Sequence, residues 1–325
     1  MPTLTAPLRF QPVYHSLVWG GRNMETHRTD LPAGPVGESW DLADHPRGMS
    51  VVAEGPLAGT TLRALMEQHA QDLMGPTWKG QEFPLLVKLI DANDRLSVQV
   101  HPDDELAQRL KIGPRGKTEC WLFLNDGGEV YIGLKPGVTQ QDFAEALATG
   151  TVEGCLNRFT ARRGDFAFIP ARTVHALSRG CLIYEVQQTC DVTFRAFDWN
   201  RLGLDGKPRA LHREEALATI DFTAPPITEL ASPSWLPDQH GGQTRHLVSC
   251  DFFTVQEHRF RSLAGNTLGT PLILTGINGA ATVSTPGGST IINPHQTLVI
   301  PAAAGSWTAQ TLGNEAQILV AKAQA

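Results

Sequence analysis

Short apolar segments of four to eight residues, alternating or continuous, recur along this chain between clusters of Gly, Pro, Asn and Asp. FPLLVKLID (83–91), RLSVQVH (95–101), CWLFLN (120–125), EVYIGL (129–134), DFAFIPA (165–171) and CLIYEVQQ (181–188) all carry this pattern, which predicts β-strands. Helical spacing is confined to four pieces: 60–74, 103–110, 139–150 and 213–220. Thr or Asp caps, or Gly or Pro stops, flank them, so they read as decorations on a sheet framework. Residues 221–245 lose periodicity and become rich in Pro, Ser and Gly, the composition of a connector. Strand patterning resumes in FFTVQEHRF (252–260), TPLILTGING (270–279), AATVSTPGG (280–288), QTLVIPA (296–302) and AQILVAKA (316–323). The expected organisation is mainly β: one domain over 1–220, a linker over 221–245, and a smaller β domain over 246–325.

The 325 residues, 41% hydrophobic, suffice for two domains with real cores. No run of eighteen apolar residues occurs, and MPTLTAPLRFQPVYHSLVWGG lacks the charged start and apolar block of a signal peptide, so the expected location is cytoplasmic, away from membranes. Five cysteines without C-x-x-C spacing argue against both a disulfide framework and a thiolate zinc cluster. A net charge of −6 with no Lys/Arg block disfavours nucleic acid as a partner. An anionic ligand would need positive charge that is local.

The chemistry concentrates on three strands. Period-two alternation in RLSVQVH sends Leu96, Val98 and Val100 to one face and Ser97, Gln99 and His101 to the other. Lys117 and Glu119 share a face in the next polar segment, and RGDFAFIPARTVHAL delivers His175 after a Pro turn. A lone histidine is more often a satisfied or exposed side chain than a ligand. The ordering of a His, a Glu and a second His on successive strands, the last preceded by Gly164 and Pro170, resembles the two-part signature of a cupin barrel. In such a barrel, inward side chains converge on a divalent cation. The amide of Gln99, a neutral and harder donor, suits a Lewis-acid zinc site better than a redox iron site. The second domain repeats the Pro turn at Pro301, but Ser306 stands where Pro170 is followed by His175, so no metal site is expected there. His258 and His295 read as structural or surface residues.

LLVKLIDANDRLSVQVHPDD, GKTECW, PARTVHAL and YEVQQTCDVTFRAFDWNR, with GESWDLADHPRGMSVV near the start, resemble the ordered blocks of the type I mannose-6-phosphate isomerases, cupin-superfamily enzymes, and specifically their short bacterial form. That resemblance implies two jelly-roll barrels, a Zn²⁺ cofactor, a sugar phosphate substrate and a monomer or weak homodimer. It implies zinc ligands at Gln99, His101, Glu119 and His175, a catalytic arginine at Arg195, and family lysines at Lys88 and Lys117. The activity implied is aldose–ketose isomerisation of mannose 6-phosphate and fructose 6-phosphate through a cis-enediolate. Glu185 with Gln187, and Asp191 with Arg195, share parity in their stretches and are expected to line the cavity. An internal ion-pair network that only braces the barrel is the competing reading of Glu185, Asp191 and Arg195. Lys117 is expected to grip phosphate, Arg195 to bind either the phosphate or the enediolate oxygen, and Lys88 to shuttle a proton if its surroundings lower its pKa towards neutrality, a snorkelling edge residue being the competing reading of Lys88. Two positions depart from the family pattern. Arg172 replaces the glycine of a P-x-G turn, and Gly116 stands where longer members carry a histidine. The rival functions are an iron oxygenase and a non-catalytic sugar-binding cupin.

Overall fold

The computed structural model describes residues 3–80 and 82–324; the first two residues of the stretch read for a leader lie outside them. The protein is mainly β, with four sheets and a few short helices, and divides into two compact units. One comprises 14–39 and 88–232, the other 1–13, 40–87 and 233–325. This division differs from the contiguous one expected from the sequence. Strand Leu8–Gln11 pairs with Thr297–Ile300 and Val51–Val52, so the start of the chain completes a sheet of the C-terminal unit. The stretch expected as a loose connector is ordered as well. Ala231 bridges to Phe166, and Leu236–Pro237 pairs with Gln243–Ser249.

The predicted site residues lie on and beside two sheets of the cupin type. One runs in the order Phe194–Phe197, Val98–Val100, His175–Leu177, Glu129–Leu134, Leu156–Thr160. The other runs Phe166–Ile169, Glu119–Phe123, Cys181–Gln188, Leu85–Ala92, Glu38–Leu42, Val13–His15. Alternation decides what each face packs against. Val98, Val100, Ala176, Phe194 and Ala196 join Phe143, Leu147 and Ala216, from helices Gln140–Thr149 and Arg213–Thr219, in one core. The opposite face contributes Val130, Ile132 and Leu177 to a second core with Trp121, Phe123 and Ile183 of the six-stranded sheet. Leu96 packs in this second core rather than with Val98 and Val100, because the strand begins only at Val98.

Helices Leu62–Met74, Asp104–Arg109 and Gln140–Thr149 begin at expected Thr or Asp caps, whereas Arg213–Thr219 begins at His212 with no side-chain cap bond. Thr61, Asp103 and Thr139 each accept a bond from a backbone N–H of the first turn, satisfying donors that helical bonding leaves open. In the C-terminal unit an eight-stranded and a four-stranded sheet enclose Phe260, Leu274, Val283, Leu298, Trp307 and Ile318. Ser306 starts strand Ser306–Thr311 and is exposed. No helix among the described residues is long and apolar enough to cross a membrane.

Candidate active site

His175 lies opposite Gln99 in the five-stranded sheet, and Arg195 lies opposite Gln99 on its other side. Residues opposed across an antiparallel pair point to the same face, so the three form one row. His101 follows directly, where Pro102 ends the strand and Asp103 caps the next helix. Both imidazoles are buried and tied at one nitrogen. His101 Nδ1 is 2.8 Å from the Val192 carbonyl oxygen, and His175 Nδ1 is 2.8 Å from that of Thr173. A carbonyl only accepts, so each Nδ1 carries the proton and each Nε2 keeps a lone pair. Burial holds both rings neutral, lowering His175 to about 4 and His101 well below its usual value, with the Lys117 charge contributing to each.

Glu119 projects from the six-stranded sheet towards these lone pairs, 3.2 Å from His175 Nε2 and 3.8 Å from His101 Nε2. The ligand-capable atoms of His101, Glu119 and His175 all lie within 4.8 Å of one another. The Gln99 amide reaches 3.3 Å from His175 Nε2, and turning that amide over exchanges its nitrogen for its oxygen. Two neutral imidazoles and one carboxylate, all buried, with the half-buried amide of Gln99, brought together from the segment 99–101 and from strands Glu119–Phe123 and His175–Leu177, fit a divalent cation. The Glu119 oxygens make ion-pair contacts but no hydrogen bond of good geometry among the described residues, as suits groups aimed at an ion.

Behind the ligands runs a buried chain of alternating charge. Lys117 Nζ is 2.6 Å from Glu119 and 3.9 Å from Glu185, while Lys88 Nζ is 3.5 Å from Glu185 and 3.4 Å from Glu38. Trp121, opposite Glu185 in the sheet, donates its indole N–H to Glu185 Oε2 at 2.9 Å; Oε1 is buried and accepts no hydrogen bond among the described residues. Burial, then repulsion from Glu119, raises the Glu185 pKa. Burial works against the charge on Lys88, but Glu38 and Glu185 outweigh it and raise its pKa. The neutral, proton-shuttling Lys88 allowed for in the sequence is thus not what these surroundings produce. Lys117 is raised likewise by Glu119 and Glu185. Its ammonium turns inward to Glu119 and to His101 Nε2 at 3.2 Å. Asp191 lies outside any strand, so parity does not place it; it adds attraction to both lysines. Glu38 and Trp121 were missed in the sequence.

The two departures have physical explanations. Arg172 takes φ 71°, the left-handed conformation, at a cost of about 1 kcal/mol for a residue with a Cβ. It is held there by its N–H to the His101 carbonyl at 2.8 Å and its Nε to the Thr219 carbonyl at 3.0 Å. At Gly116, a Cβ would sit 2.4 Å from the Asp103 carbonyl carbon and 2.5 Å from the Pro102 oxygen. No side chain fits, so a histidine is excluded by the backbone that follows His101. Gly116→Ala is expected to displace Pro102–Asp103 and cost about 1–3 kcal/mol, with weakened metal retention. A thermal melt beside a metal titration checks both; wild-type behaviour in each would show that the loop yields freely.

The family model for the type I phosphomannose isomerase catalytic domain matches residues 8–136. A probable mannose-6-phosphate isomerase, GmuF, of Bacillus subtilis is 34% identical over 94% of this chain and 96% of its own length. The chain belongs to the type I phosphomannose isomerases. A second family member, the mannose-6-phosphate isomerase of Streptococcus mutans, is 37% identical to this isomerase over 78% of each chain. The crystal structure of the mannose 6-phosphate isomerase from Bacillus subtilis superposes on it with a TM-score of 0.88 and 28% identity, covering 97% of this chain and 99% of that one. The whole length is thus shared, and the buried cluster of His101, Glu119 and His175 fits a metal-dependent isomerase.

Proposed function

We propose that this isomerase interconverts mannose 6-phosphate and fructose 6-phosphate, with Gln99, His101, Glu119 and His175 holding Zn²⁺. The observation that carries the reading is the pair of neutral, carbonyl-tied imidazoles whose Nε2 atoms lie 3.2 and 3.8 Å from Glu119. A zinc ion bound there supplies Lewis acidity towards the sugar oxygens. Moving a proton between C1 and C2 passes through a cis-enediolate, which needs a base beside the carbons and positive charge beside the oxygens. Glu185 is assigned as the base. Its Oε2 is fixed by Trp121, its Oε1 has no competing hydrogen bond among the described residues, and its raised pKa strengthens it as a proton acceptor. Lys88 and Lys117, both held protonated, flank Glu185 and supply positive charge beside the developing enediolate. Asp191 supports those charges. Arg195, in the row of Gln99 and His175, presents its guanidinium to the enediolate oxygens.

The test is a coupled assay of mannose 6-phosphate turnover before and after chelation, with Zn²⁺ added back. Turnover is expected to fall in proportion to the metal removed and to return on addition. Full activity after complete metal removal would overturn the reading.

A further inference from the structure

Strand Phe194–Phe197 ends in a strap, residues 198–212, that leaves the sheet and comes back to it. It departs through two consecutive left-handed residues, Trp199 (φ 57°) and Asn200 (φ 56°), a conformation that persists in non-glycine residues only where surrounding contacts enforce it. The Trp199 indole N–H bonds the Leu96 carbonyl at 2.6 Å. On its return the strap grips Arg195 three times: the Arg195 N–H meets His212 Nδ1 at 3.2 Å, the His212 N–H meets the Arg195 carbonyl at 2.8 Å, and one Arg195 terminal nitrogen donates to the Ala210 carbonyl at 2.9 Å. Arg195 Nε is buried and has no hydrogen-bond partner among the described residues.

One carboxylate closes the strap. Asp198 accepts from Arg201 at 2.9 and 3.2 Å and from Arg209 at 2.5 and 2.7 Å, tying the departing end to the returning end. Burial opposes its charge, but these arginines outweigh it and hold the carboxyl below its usual range. Asp198 neighbours neither the metal donors nor Glu185 in these contacts; its bonded path to the guanidinium runs through Arg209 and the adjoining Ala210 carbonyl, beside a through-space attraction to Arg195.

We infer that Asp198, clasped by Arg201 and Arg209, is a positioning residue that fixes the Ala210 carbonyl and thereby aims the Arg195 guanidinium at the reacting sugar. This rests on the role given to Arg195 above. Misplacing a catalytic cation by about 1 Å is enough to cost on the order of 100-fold in rate. The experiment is a double-mutant cycle of Asp198→Asn and Arg195→Lys, reading kcat and KM for mannose 6-phosphate and zinc bound per chain. Asp198→Asn is expected to lower kcat about 10- to 100-fold, with KM and zinc content close to wild type. In the Arg195→Lys background the same change is expected to cost less than about 3-fold, because the group it aims is already gone. Losses that multiply in the double variant, or full turnover of Asp198→Asn beside an impaired Arg195→Lys, would overturn the inference alone. Wild-type turnover of Arg195→Lys would overturn the role of Arg195 itself, and the inference with it. Should Asp198→Asn not fold, Arg209→Lys takes its place in the cycle with the same expectations, since lysine keeps the charge but not the two-pronged bond.

Discussion

Glu119→Gln is expected to abolish metal binding and turnover together and to cost about 3 kcal/mol of stability. The two effects have separate origins. Glu119 is the one anion among the predicted donors, and replacing it leaves two imidazoles and two amides, a set with no charge to set against a dication. Stability falls because the Lys117 ammonium, buried and 2.6 Å from Glu119, loses its nearest carboxylate and keeps Glu185 at 3.9 Å, the neutral His101 Nε2 at 3.2 Å and the more remote attraction of Asp191. Breaking a buried pair strands a charge in a medium that solvates it poorly. Lys117→Met in the Glu119→Gln background removes that charge and is expected to restore most of the lost stability while metal binding stays absent. Denaturant melts and metal analysis on the same two preparations separate the effects. A double variant no more stable than Glu119→Gln would show that the pair contributes little to the fold, and tight zinc binding by either would remove Glu119 from the ligand set.

Much of this site was legible because sheet geometry has a period of two. Gln99 points into the barrel for the same reason that Val98 and Val100 point at the helices, and Glu185 with Gln187 faces Glu119 and Trp121 by the same alternation. The helix ends were legible from their caps. What alternation does not carry is the identity of the neighbour across a sheet. Glu38 lies fifty residues before Lys88 in the chain, so nothing local announced that Lys88 sits between two carboxylates, and the direction of its pKa shift depends on that count. Lys117 shares parity with Glu119, yet parity leaves open whether its ammonium turns towards solvent or towards the metal ligands. Asp191 shows the opposite limit, since a residue outside a strand has no parity to read. The division into units escaped for a related reason: Leu8–Gln11 finds its partner strand almost three hundred residues later.

The second large effect concerns Glu185, where glutamine is expected to lower kcat by about 10²–10⁴-fold while zinc content stays at the wild-type level. This change leaves each lysine its nearest carboxylate, Glu38 for Lys88 and Glu119 for Lys117, whereas the change at Glu119 takes away the nearest partner of Lys117; the new amide oxygen still accepts from Trp121. Fold and metal site are therefore expected to stand, so the loss falls on proton transfer. That step has its own readout: in deuterated water the wild type washes solvent deuterium into the substrate carbon as the proton passes through the base, and Glu185→Gln is expected to slow this exchange by the same factor as kcat. Lys88→Met provides the contrast. It leaves Glu185 in place but removes a cation beside it, so deuterium exchange should persist at a reduced rate. A Glu185→Gln variant with turnover within about 10-fold of wild type would take the base assignment away from Glu185, because a carboxamide has no proton affinity to offer at neutral pH.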